Sequence, residues 1–436
     1  SVLNFAMICA QLFFHQVFSF SAQIYDEQIE VLNHVGYVMS TKRVVICGVA
    51  RTPIGSFMGT LSPISAVELG VLAVKELSSR VGFDASSGIV DEVYFGQVLQ
   101  AGSGQNPARQ VALGAGLPVT TSASTINMVC GSSLQAAMLA ANSILAGKSK
   151  VVVAGGMENL SQAPHVLRGA RDGWKLGRSP PVEDYMMTNL QDLTCGKYMA
   201  QTSDEICARK GVTREETDAF AARSHQRVLS SIENGVFEEE IVDVVIKSRR
   251  GETIITAKDE DHVVHNTSEE SLAKLPTAFG PESLVTAGNA SGIVDGAAAV
   301  VIKSASQAAA DGDKPLAKLV GWGIVGLEPA IMAYGPVPAS RKALERTGLT
   351  VDDIDLWEIN EAFAGQAVAC VKELGLDVEK VNVNGGAVGL GHPLAATGTR
   401  LTLTLAHQLK RSGGKYGIAT ACIGGGQGIA LVIESL

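Results

Sequence analysis

Short apolar runs alternate along this chain with stretches whose apolar positions recur at helical spacing. Arg43–Cys47 (RVVIC) reads as a buried strand and Ala66–Arg80 as a helix. Glu92–Phe95 and Thr125–Met128 read as short strands. Ser132–Ala146 is a helix whose small residues allow close burial. Lys150–Ala154 (KVVVA) is a strand of the parallel type, stopped by Gly155-Gly156. From about Asn159 to Thr286 the pattern changes to more charge, more proline and polar helices such as Arg214–Ser231, which marks an insertion. Strand-helix alternation returns at Asp295–Lys303 and runs to the end, including the strand-like Ile354–Ile359. The second half echoes the first. SSLQAAMLAANSILAGKSKVVVAGG and LAATGTRLTLTLAHQLKRSGGKYGIATACIGGG each set a helix, a turn, a strand and a glycine cluster in the same order. The pattern predicts two related α/β halves with one insertion.

Composition narrows the function. The chain has 436 residues, 46% hydrophobic and only 18% charged, with 47 glycines. At roughly 100–200 residues per domain, two or three domains share the core. The apolar content excludes disorder over most of the length. A net charge of −9 with interspersed signs leaves no basic stripe for nucleic acid, so a protein that handles small molecules is expected. The seven cysteines, at 9, 47, 130, 195, 207, 370 and 422, form no CxxC spacing. This argues against a disulfide framework or a zinc site and for a reducing compartment. Residues 1–38 differ from the rest, with no Lys or Arg and five of the twelve phenylalanines. They lack the basic residues of a secretory or mitochondrial signal. Asn4, Gln11, His15 and Gln16 break the ~20 apolar residues that a membrane span requires. They read as a poorly ordered extension, with a diverged targeting segment as the rival. Met39 directly precedes the first globular pattern.

Four places carry candidate chemistry. Cys130 (INMVCGSS) follows a strand and precedes a helix, where backbone N–H groups and the helix dipole favour a thiolate; an ordinary buried cysteine is the plain alternative. His392 lies in the glycine-dense NVNGGAVGLGHPLAATG, where bare backbone lets a substrate approach, or is simply a satisfied polar group. Cys422 (ACIGGGQG) ends a strand before glycines, as a second thiol for proton transfer beside N–H donors or as a core cysteine. Asn360 (NEAFA) could orient a water or an oxyanion at a strand end, or cap a helix. Gly321-x-Gly323-x-x-Gly326 matches a dinucleotide fingerprint, but Pro329, Pro336 and Pro338 follow where a phosphate-binding helix is required. His262 and His265 sit in a charged, solvated stretch.

Taken together, NMVCGSS, NEAFA, GHP-x-x-x-x-G and CIGGGQG resemble the thiolase family, the acetyl-CoA acyltransferases. GVARTPIGSF at 48–57, GQNPARQVALGAGLP at 104–118, AGGMEN at 154–159, VTAGNASG at 285–292 and GPVPASRKAL at 335–344 agree. The resemblance runs from about Lys42 to Leu436. It implies an α/β fold in which two similar βα halves pack as an αβαβα sandwich. The halves would be 39–158 plus 294–313 and 314–436, with a CoA-binding loop domain at 159–293. It implies that Cys130 takes the acyl group, His392 activates it and Cys422 moves the proton of the acetyl methyl carbon. Asn360 would hold a water that forms one oxyanion hole with His392, and the N–H groups of Cys130 and Gly424 would form the other. Coenzyme A and acyl-CoA are the implied substrates, with no prosthetic group and no metal. Ser271, Ser291, Ala287 and Phe279 would lie along the CoA, and Met199 and Met332 would flank a short acyl pocket. The implied reaction is condensation of two acetyl-CoA, with a broader 3-ketoacyl-CoA range as the alternative. A decarboxylating ketosynthase is disfavoured by Cys422, and a non-enzymatic CoA-binding relative by the presence of all three of Cys130, His392 and Cys422. Four positions depart from the family pattern: Ala395, Val264, the Leu275-Pro276-Thr277 run and Tyr198. The resemblance further implies a homodimer or homotetramer with 104–118 near the partner. No membrane insertion is expected, and the cytosol, or else the mitochondrion, is the expected compartment.

Overall fold

The computed structural model describes residues 43–177, 180–247, 253–259 and 266–436. The expectations for residues 1–38, His262, Val264 and His265 lie outside the described residues. Nine of the ten strands in the main sheet of the described residues form its path: β1 (Val44–Arg51), β2 (Glu92–Gly96), β3 (Ser122–Ile126), β4 (Val151–Asn159), β5 (Val294–Ser304), β6 (Ala317–Gly326), β7 (Leu356–Ile359), β8 (Tyr416–Ile423) and β9 (Gln427–Ser435). The principal helices are α1 (Ala66–Val81), α2 (Pro107–Gly114), α3 (Ser132–Leu145), α4 (Met199–Lys210), α5 (Arg214–Glu233), α6 (Pro336–Thr347), α7 (Ala364–Leu374) and α8 (Thr397–Ser412).

The duplication expected from the pattern is visible in the sheet. The first half runs β3-β2-β4-β5-β1, with β2 parallel to β3 and β4 and the other neighbours antiparallel. The second half runs β7-β8-β9-β6. There β7 is parallel to β8, and the other neighbours are antiparallel. Its missing outer strand survives as a single parallel bridge from Trp357 to Val381. Both halves therefore follow the order third, second, fourth, fifth, first. β1 joins them by pairing with β6, Val44 opposite Leu319 and Ile46 opposite Ala317.

Alternation along the strands builds the layers. In β4, Val152 and Ala154 face a core that includes α3 and α8, while Val151, Val153 and Met157 face a second core with α1 and α2. A third core gathers α4 to α7 on the far side of the second half. Strands covered on both faces tolerate unbroken apolar runs, which explains the fully buried β4. The two central helices touch through their first turns: Thr399 N donates to Ser133 Oγ at 2.8 Å, and a Cβ on Gly398 would lie 2.6 Å from Leu134 N.

The expected strand end at Gly155-Gly156 is corrected: β4 passes through both glycines to Asn159. A Cβ on Gly155 would lie 2.3 Å from Phe95 Cε2, and one on Gly156 would lie 2.0 Å from the Ala395 carbonyl oxygen. The glycines admit close neighbours rather than a turn. The strand expected over Thr125–Met128 is Ser122–Ile126. The Gly321–Gly326 fingerprint lies inside β6 and crosses α6, where a Cβ on Gly323 would lie 2.3 Å from Ala339 O.

Between β4 and β5 the chain makes a long insertion containing α4 and α5, which pack into the third core with α6 and α7. Buried Arg51, the last residue of β1, anchors it by ion pairs to Glu240 at 2.9 Å and Asp259 at 2.6 Å. Among the described residues no helix is long and apolar enough to cross a membrane.

Candidate active site

The site gathers at the carboxyl ends of the parallel strands, where open α/β sheets place ligands. After β3 the chain turns sharply into α3. Val129 there adopts φ +46°, an unusual conformation for a β-branched residue. The turn is clamped: Met128 N donates to Ser132 Oγ at 2.9 Å, Ser132 Oγ to Val129 O at 2.6 Å and Val129 N to Asn127 Oδ1 at 3.1 Å. Cys130 is thereby held at the helix start and 8% exposed. Burial pushes its thiol up to about 12, against hydrogen bonds from the N–H groups of Gly424 and of Cys130 itself.

In the second half the corresponding segment carries His392, just ahead of α8. Gly391 has φ +96° and no room for a side chain, since a Cβ would lie 2.3 Å from Val294 Cγ1. The buried imidazole places Nε2 3.3 Å from Asn360 Nδ2 and Nδ1 2.5 Å from Thr397 Oγ1. Burial, and then the charge of Arg400, lower its pKa to about 3, so the ring is neutral and has one nitrogen lone pair to offer. Asn360 follows β7, with its N–H on Thr420 O at 2.9 Å. Its Oδ1 is buried with no hydrogen-bond partner among the described residues, an acceptor left for a ligand or a water.

Cys422 is the penultimate residue of β8 and fully buried; burial, and then the neighbouring Cys130, raise its pKa. Glu158 occupies the equivalent position of β4 in the other half. Its buried carboxylate accepts from Val98 N (3.1 Å), Leu99 N (3.0 Å) and Ala395 N (3.3 Å), and burial raises its pKa to about 7. It ties the wall beside β2 to the segment that carries His392.

Cys130 and His392 open onto one apolar cavity of about 320 Å³, which Met199, Met332, Phe279, Ala287 and Ser291 also line. Asn360, Cys422 and Gly424 do not line it; they pack against His392 and Cys130 from within the protein. Ser271 is not part of the cavity. It is exposed on the short helix Glu269–Ala273, and its hydroxyl serves the cap formed with Ser268. Tyr198, one of the departures, lines the cavity with its ring 5.7 Å from that of Phe279. Sequence reasoning missed Thr397 and Asp192. It noted Glu158 only inside AGGMEN. A threonine at a helix start and an aspartate in a loop give no signal of their own.

Two duplicated halves with a cysteine at one central helix and a histidine at the other define an acyltransferase of the thiolase fold. Residues 44–306 match the thiolase N-terminal domain and residues 313–435 the thiolase C-terminal domain. An acetyl-CoA acetyltransferase of Chromobacterium violaceum is 49% identical over 391 residues, 90% of this chain and 99% of that protein. The crystal structure of the Bacillus anthracis acetyl-CoA acetyltransferase aligns with TM-score 0.88 at 45% identity, covering 91% of this chain and 99% of that one. Human mitochondrial 3-ketoacyl-CoA thiolase in complex with CoA aligns with TM-score 0.87 at 40% identity, covering 91% and 98%. The chain belongs to the thiolase family.

Proposed function

We propose that this chain is an acetyl-CoA C-acetyltransferase, joining two acetyl-CoA into acetoacetyl-CoA and CoA through an acyl-cysteine, and running the reverse thiolysis. The observation that carries this reading is the opening of Cys130 and His392 onto one apolar cavity flanked by Met199 and Met332. With Thr397 accepting from Nδ1–H, a tautomer assigned from these partners, Nε2 takes the Cys130 proton as the sulfur attacks the thioester carbon. The N–H groups of Cys130 and Gly424 receive the oxyanion, Cys422 gives its proton to the departing CoA sulfur, and His392 keeps the proton it took from Cys130.

The Cys422 thiolate so formed removes a methyl proton from the second acetyl-CoA. The enolate oxygen accepts from Nε2–H of protonated His392 and from a water on Asn360 Oδ1, and the carbanion displaces Cys130. Two adjacent thiols resist ionising together, and Cys130 opposes ionisation of Cys422; with Cys130 acylated, the Cys422 thiolate faces no second thiolate. The proton held by His392 returns to Cys130 when that sulfur is released.

CoA would run along Phe279, Ala287 and Ser291, within a loop domain at 159–293. The halves would be 39–158 plus 294–313 and 314–436. A homodimer or homotetramer is supported by β3, an outer strand with one neighbour among the described residues. The named bacterial relatives support the cytosol, and the human mitochondrial structure the alternative compartment.

The test is CoA-dependent cleavage of acetoacetyl-CoA beside 3-oxohexadecanoyl-CoA. Turnover of acetoacetyl-CoA alone is expected. Turnover of both would favour a 3-ketoacyl-CoA thiolase, a reading supported by the apolar walls at Leu99, Leu160, Met186 and Leu190. Cys130→Ser should form no acyl-enzyme, while Cys422→Ser should keep acyl transfer and lose carbon–carbon bond formation. Equal loss of both half-reactions in Cys422→Ser would make that thiol structural.

A further inference from the structure

The turn that carries the Gly424 N–H is Gly424-Gly425-Gly426, with φ +86° and +80° at the last two residues. Three consecutive glycines have the greatest backbone freedom available to a chain. Ile423 opposite Gln427 closes the hairpin, and Gly426 O accepts from Leu327 N at 2.8 Å, which leaves the Gly424–Gly425 peptide to be fixed by a further contact.

That contact comes from the segment between β4 and β5. Residues 190–199 fold back on themselves. Gln191 bridges Tyr198, Asp192 N donates to Lys197 O at 2.8 Å and Met199 N donates to Leu190 O at 3.0 Å. Leu190, Tyr198 and Met199 line the cavity. Asp192, 5% exposed, uses its two oxygens differently. Oδ1 accepts from Thr194 N at 2.7 Å and Cys195 N at 3.3 Å, which closes its own turn. Oδ2 accepts from Gly425 N at 3.2 Å. A second contact joins the same two segments: a Cβ on Gly424 would lie 3.0 Å from Met199 Cε and 3.3 Å from its sulfur.

We infer that Asp192 is a positioning residue that fixes the Gly424–Gly425 peptide and so restrains rotation at Gly424, whose N–H, on the preceding Ile423–Gly424 peptide, is thereby kept aimed at the acyl group on Cys130. The inference rests on the reading of Gly424 as an oxyanion donor. One wall of the acyl cavity and one donor of the hole then form a single mechanical unit, so an acyl group that displaces Met199 or Tyr198 also displaces the donor.

Asp192→Asn separates the two jobs of the carboxylate. Asparagine supports the same local turn through one oxygen, but sets an NH₂ group against the Gly425 N–H. Acetylation of Cys130 by acetyl-CoA should slow by about 10–100-fold, less than complete loss of an oxyanion donor costs. KM for acetyl-CoA and the melting temperature should stay near wild type. In ¹³C-edited infrared spectra, the thioester carbonyl of the acetyl-enzyme should move to higher wavenumber as its hydrogen bond weakens. Asp192→Ser keeps a turn-forming hydroxyl too short to reach Gly425 and should give the same signature if Asp192→Asn does not fold. An unshifted carbonyl band, with or without a slower rate, overturns the inference. Absence of acetyl-Cys130 in the wild-type chain would overturn the thiolase reading itself, a different result from a wild type that acetylates and a variant that matches it.

Discussion

Asn360 Nδ2 lies 3.3 Å from His392 Nε2 across 32 residues of sequence. The amide can donate to that nitrogen only if the imidazole proton resides on Nδ1, where Thr397 Oγ1 stands at 2.5 Å. Asn360 thus favours the Nδ1–H tautomer, and Thr397 Oγ1 can accept that proton. Thr397→Val keeps the shape, removes the acceptor and frees the ring to exchange tautomers. The expected result is a fall in kcat of ~10²-fold, at the lower end of what general acid–base groups contribute. KM should be little changed, and Thr397→Ser should restore the rate. An equal rate in Thr397→Val would show that the ring is oriented by Asn360 alone.

Gly156 lies under the backbone of the His392 segment. An added methyl would meet Ala395 O at 2.0 Å and Ala395 C at 2.6 Å, and backbone cannot swing aside as a side chain can. Gly156→Ala should cost ~1–3 kcal/mol of stability by overpacking and lower kcat more than tenfold by moving His392. Gly82→Ala is the control. Gly82 has φ +81° with open space around it, so that variant should lose ~1–2 kcal/mol through backbone strain alone and keep its kcat. Urea melts and steady-state rates on the two variants make the comparison.

Burial raises the Glu158 carboxyl to about 7 from its ordinary 4.5. The folded chain therefore holds this proton more tightly than the unfolded chain does. The resulting stability is complete below pH 4.5 and is lost as pH rises through 7. Relative to Glu158→Gln, the wild type should lose up to ~1.4 kcal/mol per pH unit within that window and nothing further above it. Urea midpoints of both proteins at pH 5, 6, 7 and 8 test this. A difference constant with pH would mean that the carboxyl does not titrate in the window.

Much of the secondary structure was legible because its determinants are local. The helix read at Ala66–Arg80 ends one residue later, set by the Ser65–Glu68 capping box and by Gly82 at φ +81°. The helix at Ser132 and the strand at Asp295–Lys303 followed in the same way from period and composition. Cys130, His392, Cys422 and Asn360 stood out as candidates through their glycine-rich or strand-end settings and became one constellation by family resemblance. Position alone left Asn360 as a helix cap.

The chain's own pattern thus determined two α/β halves, an insertion and the residue types available for acyl transfer, because propensity and amphipathic period act over a few neighbouring residues. Only the tertiary structure decided that β4 runs through Gly155-Gly156, since the atoms that require glycine there belong to Phe95, Ala298 and Ala395. Only it showed that Thr397 stands at His392 Nδ1, that Glu158 bridges the wall beside β2 to the His392 segment and that Asp192 holds Gly425. A threonine, a glutamate and an aspartate are ordinary residues in sequence. Each acquires its role from a hydrogen-bond partner brought close by packing, and packing is not written in local spacing.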